Sequence, residues 1–232
     1  MNTDKRRILV FGDSNSWGFM PRSNVDPTRR YDASVGWSGI MAAHLGTGFE
    51  VLEEALSGRT TDLDDSQIDL PSEHSKGATL NGAKLLPAIL ASHLPVDLVI
   101  IMLGTNDLKA RFNRKPVDIA KAAVGLAQLV EECKGGIFTV YPAPRVLLIA
   151  PPPLGIKFHD PEQWNGSREK SLVLGAALKE LAKAAELPCF DAGEVITTDG
   201  VDGIHLTVEA HRRLGEAVAR QILLALEDKG QL

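Results

Sequence analysis

The stretch DLVIIMLGTND, residues 97–107, joins a continuous apolar run to a polar turn. From Val99 to Leu103 every position is apolar, instead of every second one. Such a run is typical of a strand in a parallel sheet that helices cover on both faces. Open α/β sheets bind their ligands beyond the carboxyl ends of the strands. The stretch therefore predicts a buried parallel strand, and the turn Gly104 to Asp107 indicates a site at the edge of the sheet.

The rest of the chain alternates short β-rich runs with longer helical ones. The predicted strands are Arg7 to Phe11, Phe49 to Glu54, Asp97 to Leu103, Arg145 to Ala150 and Pro188 to Asp191. The predicted helices are Trp37 to Leu45, Asn81 to His93, Pro116 to Cys133, Ser167 to Glu186 and Thr207 to Glu227. This alternation predicts one doubly wound, three-layer α/β/α domain over residues 1–232, with right-handed crossovers and a parallel sheet of about five strands. Longer loops, candidates for the surroundings of a site, are Pro21 to Ser34, Thr60 to Thr79 and Pro151 to Gly166.

The composition limits the classes of partner. Of the 232 residues, 44% are hydrophobic and 24% charged, and the formal net charge is −5. These values are typical of a globular protein, and they disfavour a polyanionic partner such as nucleic acid. We therefore expect no nucleic-acid partner.

The same sequence shows no sign of a membrane or a metal. No apolar run is long enough to cross a bilayer, and the run Ile8 to Phe11 is too short for a secretory signal, so a cytoplasmic protein is expected. Cys133 and Cys189 are predicted to be reduced core thiols, because two cysteines in a chain of this length form no disulfide framework. No Cys/His spacing indicates zinc, and nothing implies an organic cofactor.

Four polar blocks follow predicted strands. They are Gly12 to Ser14, Leu56 to Thr60, Gly104 to Asp107 and Gly200 to His205. Because the carboxyl ends of parallel strands lie at one edge of the sheet, we expect these blocks to share one rim.

The residues of this rim match the requirements of acyl transfer. That reaction needs a nucleophile, a base, a group that orients the base, and hydrogen-bond donors for the oxyanion. Ser14 offers the hydroxyl, His205 the base, and Asp202 a carboxylate three residues before that base. The backbone N–H groups of Ser14 and Gly58 and the side-chain amide of Asn106 are the candidate oxyanion donors.

The blocks GDS, GTND and DGIH, with a glycine after the second strand, resemble those of the SGNH (GDSL-like) hydrolases. The resemblance covers nearly the whole chain and implies the flavodoxin-like SGNH fold. It also implies Ser14 as nucleophile, Asp202 as acid and His205 as base, with Ser14, Gly58 and Asn106 around the oxyanion.

Four longer phrases resemble the bacterial arylesterase and acyltransferase branch: LSGRT, DLVIIMLGTNDLKARF, TVYPAPRVLLIAPPPLG and ITTDGVDGIHLT. This resemblance implies hydrolysis of small, short-chain acyl esters through an acyl-enzyme, with transfer to an alcohol or to hydrogen peroxide as a further activity. It also implies a homo-oligomer, and an octamer is the assembly that the resemblance suggests. Segments Asp65 to Gly82 and Lys157 to Ser171 are expected to shape the rim or subunit contacts.

Other functions remain open at this stage. The same blocks support a carbohydrate acetylesterase, or a thioesterase or lysophospholipase. A non-catalytic carbohydrate- or lipid-binding module is the alternative from another class, and loss of a triad member would favour it; none is lost. A phosphatase would use Asp13 as nucleophile with a second aspartate two residues later, where Asn15 stands.

Several individual residues carry alternative interpretations. The candidate pocket residues are Asp13, Trp17, Ser57, Phe112 and Ile204, joined by Phe158 and Trp164 as further apolar candidates. Asp199 competes with Asp202 for the orienting role, Asp107 is expected to cap a turn, and Asp13 is expected to bond within its own loop. The histidines without ligand spacing are predicted to lie at the surface or at caps: His44, His74, His93, His159 and His211.

Overall fold

Five parallel strands form the central sheet of the computed structural model, which describes residues 5–23, 29–67, 77–198 and 200–227. The strands are β1 (Arg6–Gly12), β2 (Phe49–Ala55), β3 (Leu98–Met102), β4 (Arg145–Ala150) and β5 (Cys189–Asp191). Their order is β2-β1-β3-β4-β5, and every neighbouring pair is parallel. The chain moves outward from β1 to β2 and then crosses to β3 on the other side. A crevice for ligands is therefore expected at the carboxyl ends of β1 and β3.

The helices match the predicted ones with small shifts at the ends. They are α1 (Ser14–Trp17), α2 (Trp37–Leu45), α3 (Gly82–His93), α4 (Pro116–Glu132), α5 (Ser167–Ala184) and α6 (Val208–Glu227). Asn81 and Thr207 lie outside their helices and cap them, since their side-chain oxygens accept from the N–H groups of Lys84 and Ala210. The four-residue α1 was not predicted. Single 3₁₀ turns lie at Gly77–Leu80, Asn106–Leu108, Ala110–Phe112 and Ala192–Glu194.

The side chains of β3 divide between the two faces of the sheet. Val99 and Ile101 pack in a core formed with α3, α4 and α5, whereas Ile100 and Met102 pack in a second core formed with α2 and α6. All four are at most 1% exposed. Helices therefore cover the sheet on both faces, which confirms the predicted three-layer α/β/α fold and explains why β3 is apolar at every position.

The expectations for membrane spans and for the two cysteines can also be compared with the structure. In the described ranges, no helix combines the length and the apolar character that a membrane span requires. Cys133 and Cys189 are free and half-buried, so neither belongs fully to the core. Parts of the predicted loops, together with His74 and Asp199, lie outside the described residues.

Candidate active site

Ser14 lies at the turn from β1 into α1. The carboxylate of Asp13 caps α1 by accepting the N–H of Asn15 at 2.9 Å, as expected for a residue that bonds within its own loop. The cap places Ser14 in the first helical turn, where backbone N–H groups have no intrahelical acceptor. Within the described part of the chain, the N–H of Ser14 donates to no other group. The serine thus presents a hydroxyl and a free N–H at the same edge of the sheet.

His205 and Asp202 come from the loop before α6 and meet Ser14. The Nε2 atom of His205 is 3.1 Å from the Oγ of Ser14, and its Nδ1 is 2.8 Å from the Oδ2 of Asp202. The hydrogen bond to Asp202 fixes the tautomer with the proton on Nδ1, so Nε2 is left to accept the proton of the serine. The geometry links a hydroxyl, an imidazole and a carboxylate in one chain.

The carboxylate of Asp202 is held ionised. Burial acts to raise its pKa, but the hydrogen bond and charge of His205 and the N–H groups of His205 and Ile204 outweigh burial, so the pKa lies below its usual range. Its Oδ1 accepts those two N–H groups at 2.8 and 3.0 Å. The N–H of Arg22 reaches Oδ2 at 3.3 Å. The acceptor for the imidazole therefore stays negative at neutral pH.

A glycine allows the tight turn between Asp202 and His205. Gly203 has φ +74°, and a Cβ at this position would lie 2.4 Å from the carbonyl oxygen of Lys157. Both the backbone conformation and the space require a residue without a side chain. The turn directs the N–H groups of Ile204 and His205 back onto Asp202.

Asn15 connects the two loops. Its Nδ2 donates to the carbonyl of Ile204 at 3.1 Å, and its Oδ1 accepts the N–H of Leu206 at 3.1 Å. These bonds flank His205 on both sides in sequence, and Asn15 is 2% exposed. A side chain next to Ser14 thus fixes the loop that carries the histidine. The sequence showed Asn15 as a polar turn residue and gave no sign of its partners.

The candidate oxyanion donors line one cavity. Gly58 has φ +88°, and in the described residues its N–H, like that of Ser14, has no hydrogen-bond acceptor. One N–H of the Asn106 amide donates to the carbonyl of Arg59 at 3.1 Å, which leaves the second for a ligand. The Arg59 guanidinium in turn donates to the carbonyl of Gly12 at 3.0 Å and lies over the ring of Phe11 at 4.1 Å. Arg59 therefore ties the loops of all three donors together.

The cavity that contains Ser14 has a volume of about 290 Å³. Its walls are formed by Ser14, Phe19, Arg22, Ser57, Gly58, Asn106, Lys109, His159, Gln163, Trp164, Ile204 and His205. This volume is at the lower end of the range for small-molecule sites, so it suits a small ligand.

Part of the predicted pocket lies elsewhere. Ser57 and Ile204 line the cavity, and so does Trp164, whose ring stacks on Phe158 at 6.0 Å. Asp13 is buried beneath the cavity, where its carboxylate caps α1. Trp17 and Phe112 also lie outside the wall, because their rings pack against the Arg30 and Arg111 guanidinium groups at 5.2 Å each. The wall thus differs from the predicted one at Asp13, Trp17 and Phe112.

Sequence reasoning missed several wall residues, and Phe19 is the clearest. Its ring stacks on the imidazole of His205 with centroids 4.0 Å apart and planes 24° apart. Arg22, Lys109 and Gln163 are also new, and His159 was expected at the surface. The only available signal was their place in loops near strand ends.

Buried charges lie behind the cavity. Burial raises the pKa of Asp13 to about 6, and the neighbouring charge of Asp107 adds to the increase. Burial lowers the pKa of Lys109 to about 8, with a further decrease from the charge of Arg111. Asp107 does not cap a turn as expected; it accepts the N–H of Thr61 at 3.0 Å and pairs with Arg114.

His211 also differs from the prediction. It is fully buried on α6, and its Nδ1 accepts the N–H of Trp37 at 3.2 Å. Burial, followed by the charge of His205, lowers its pKa to about 4, so the ring is neutral at physiological pH. In the described part of the chain, no three His, Cys, Asp or Glu side chains are arranged to hold a metal ion.

Comparisons with known proteins agree with this geometry. Residues 10–213 match the model of the GDSL-like Lipase/Acylhydrolase family. The search of curated proteins found no match.

Solved structures are also similar. Est24, a carbohydrate acetylesterase from Sinorhizobium meliloti, is 47% identical with a TM-score of 0.89, over 95% of this chain and 100% of that one. The inhibitor-bound M. smegmatis aryl esterase is 47% identical with a TM-score of 0.86, over 94% and 98% of the two chains. Another carbohydrate acetylesterase family member from S. meliloti is 29% identical with a TM-score of 0.83, over 96% and 99%. The chain belongs to the GDSL-like lipase/acylhydrolase family and is a serine ester hydrolase.

Proposed function

We propose that Ser14, His205 and Asp202 are the catalytic triad with which this enzyme hydrolyses short-chain acyl esters. The observation that carries the proposal is the continuous chain of hydrogen bonds, 3.1 Å from Ser14 Oγ to His205 Nε2 and 2.8 Å from His205 Nδ1 to Asp202 Oδ2. It opens into a cavity of about 290 Å³, large enough for a small ester.

In the first half of the reaction, the Oγ of Ser14 attacks the ester carbonyl while His205 Nε2 takes its proton. The imidazolium that results is stabilised by Asp202. His205 then returns the proton to the leaving alcohol as the C–O bond breaks, which leaves an acyl group on Ser14.

The oxyanion of each tetrahedral intermediate is placed among the N–H groups of Ser14 and Gly58 and the amide of Asn106. Preorganised donors of this kind stabilise charge that develops only during the reaction. In the second half, His205 activates water, which releases the acid. An alcohol or hydrogen peroxide in place of water gives an ester or a peracid, so acyl transfer and perhydrolysis are further proposed activities.

The substrate class is proposed from the cavity and the relatives. The small volume favours acetyl and other short acyl groups, and the similar structures are described as an aryl esterase and as carbohydrate acetylesterases. Acetylated carbohydrate is the second candidate substrate. A binding module without turnover is disfavoured, because such a module has no need for the hydrogen bonds that link Ser14, His205 and Asp202.

Four further expectations also stay proposals. Residues 1–232 are proposed to form one hydrolase domain that is cytoplasmic and has no nucleic-acid partner. By family resemblance, the domain is proposed to form a homo-oligomer, and the mass measured by light scattering tests this directly.

Ser14→Ala tests the proposed nucleophile. We expect the variant to lose at least about 10³-fold in kcat on 4-nitrophenyl acetate, because the hydroxyl that attacks the ester is removed. A fluorophosphonate should label the native enzyme at Ser14 and leave the variant unlabelled. Ser34→Ala, at an exposed serine, is the control and should keep full activity. Turnover by Ser14→Ala close to that of the native enzyme would refute the proposal.

A further inference from the structure

One cation in the cavity wall has no hydrogen-bond partner in the described ranges. Lys109 is only 5% exposed, yet it lines the same cavity as Ser14. Among the described residues no acceptor lies within hydrogen-bond distance of its Nζ, and its ion pair with Asp65 spans 3.9 Å. Buried polar groups are almost always hydrogen-bonded, and an ammonium has three N–H groups to satisfy. The position of Lys109 therefore calls for an acceptor inside the cavity.

The neighbouring carboxylates of Asp13, Asp65 and Asp107 act on Lys109 through their charges, but in the described ranges none of them hydrogen-bonds to its Nζ. Asp65 is fully buried, and it forms a shorter ion pair with the guanidinium of Arg111. One carboxylate thus serves two cations. Asp107, another nearby carboxylate, pairs with Arg114. The Trp164 ring lies 5.8 Å from the Nζ of Lys109 and contributes a cation–π contact, which supplies no acceptor atom.

The cavity offers no negative charge of its own. Its described wall contains two cations, Lys109 and Arg22, and no aspartate or glutamate. This contrasts with the chain as a whole, whose formal net charge is −5. A ligand with a carboxylate would complete the hydrogen bonds of Lys109 with strong, charge-assisted ones.

We propose that Lys109 binds a carboxylate of the substrate, so that the enzyme prefers esters carrying a negative charge close to the ester bond. The inference rests on the proposed function of this cavity as the ester site. Lys109 follows the turn that carries Asn106, so the carboxylate lies near the oxyanion donors, on either the acyl or the alcohol side of the ester.

Two matched substrate pairs test the preference and distinguish the two sides. On the alcohol side, 4-acetoxybenzoate is compared with its methyl ester; on the acyl side, monoethyl succinate is compared with ethyl butyrate. At pH 7 we expect the anionic member of at least one pair to have the higher kcat/KM. Lys109→Met should lower that anionic-to-neutral ratio by about 10- to 100-fold, the range expected for losing a hydrogen bond to a charged group.

Lys121→Met is the matched control, because it removes the same charge from an exposed site on α4 and should leave both ratios unchanged. Thermal unfolding of Lys109→Met and of Lys109→Gln establishes that each variant is folded. Asp65 keeps its shorter ion pair with Arg111 in both variants, so the substitution does not leave it as an unpaired buried charge. The inference would be overturned if, for both substrate pairs, the anionic-to-neutral ratio of kcat/KM were the same in the native enzyme, Lys109→Met and Lys109→Gln.

A binding measurement separates this inference from the proposed mechanism. Calorimetry on Ser14→Ala, which needs no turnover, compares benzoate with benzamide. We expect benzoate to bind more tightly, and the double variant Ser14→Ala/Lys109→Met to lose that advantage by at least about 10-fold. Benzoate affinity that is unaffected by Lys109→Met would overturn the inference while leaving the triad intact. If Ser14→Ala kept its esterase activity, the mechanism would fail, and the benzoate result would still report on Lys109.

Discussion

The polar groups of the triad are hydrogen-bonded within the protein, whereas several polar groups of the cavity wall have no such partner among the described residues. Asp202 accepts from the Nδ1 of His205 and from the N–H groups of Ile204, His205 and Arg22. In the wall, Ser57 Oγ and His159 Nδ1 are buried without a hydrogen-bond partner among the described residues, and Lys109 has only a long ion pair.

The difference separates groups that act on any ester from groups that select one. The triad has to be in place before the substrate arrives, so its hydrogen bonds are made within the protein. The wall groups gain their partners only when a substrate binds. The oxyanion donors also lack partners among the described residues, because the charge that they stabilise appears only during the reaction. Ser57, His159 and Lys109 are therefore the unsatisfied wall groups that carry information about the ligand.

Among the hydrogen-bonded groups of the triad, the largest effect is expected from Asp202→Asn. The amide keeps the size of the side chain but removes the negative charge and the acceptor that holds the Nδ1 proton, so His205 is free to adopt the wrong tautomer. We expect kcat on 4-nitrophenyl acetate to fall by about 10³- to 10⁴-fold, as in other triads. Asp32→Asn, at an exposed aspartate, serves as control. A decrease of less than tenfold would show that another carboxylate, such as Asp199, orients the imidazole.

A smaller effect is expected from loosening the link between the two loops. Asn15→Ala removes the bonds to Ile204 and Leu206 and leaves a buried carbonyl and a buried N–H unpaired. We expect the free energy of unfolding to fall by about 2 kcal/mol and kcat by about 10-fold, because His205 is less well placed. Chemical denaturation and steady-state kinetics measure the two effects. Asn165→Ala, at an exposed site, is the control, and equal kcat values in both variants would contradict the prediction.

In the cavity wall, the charge of Lys109 can be changed with pH alone. Because burial lowers the pKa of Lys109 to about 8, its ammonium is present below that pH and is lost as the pH rises through it. The kcat/KM ratio of 4-acetoxybenzoate to its methyl ester should therefore fall severalfold between pH 7 and 9.5. The charged groups around Lys109 are Asp13, Asp65, Asp107 and Arg111.

The titration has its own controls. Burial raises the pKa of Asp13 to about 6, so its ionisation is nearly complete before the measured range begins. The charges of the two substrates do not change over this range, because the carboxyl group of 4-acetoxybenzoate is already ionised and the methyl ester has none. Lys109→Met should show a flat ratio. A ratio that falls equally in Lys109→Met would assign the effect to another group.

The layers of the fold could be predicted because they depend on periodicity. Val99 to Leu103 are apolar throughout, and a strand of this kind has to be covered on both faces wherever it lies. Helix ends were predicted less well. Asn81, for example, was placed inside α3 but caps it, because capping depends on the geometry of a single side chain. Four-residue α1 is too short to show any period.

The sequence predicted the site only in part, because the ends of the strands indicate which loops meet but not which side chains line the cavity. That reasoning brought Ser14, Asn106 and His205 to one edge of the sheet, and the structure brings all three to one cavity. It could not find Phe19 or Lys109, since aromatic and basic residues in loops have many uses. His211 was misassigned because the two arginines that follow it in α6 indicate an exposed face, while its own side chain faces α2.

The hydrogen bonds of Asn15 have a consequence for how the enzyme is made. They join residues 189 and 191 positions apart, so the nucleophile is synthesised long before the base that it needs. Contacts this distant in sequence form late in folding. A nascent chain released before residue 202 would contain all five strands yet lack Asp202 and His205, so hydrolytic activity should appear only once translation has nearly finished.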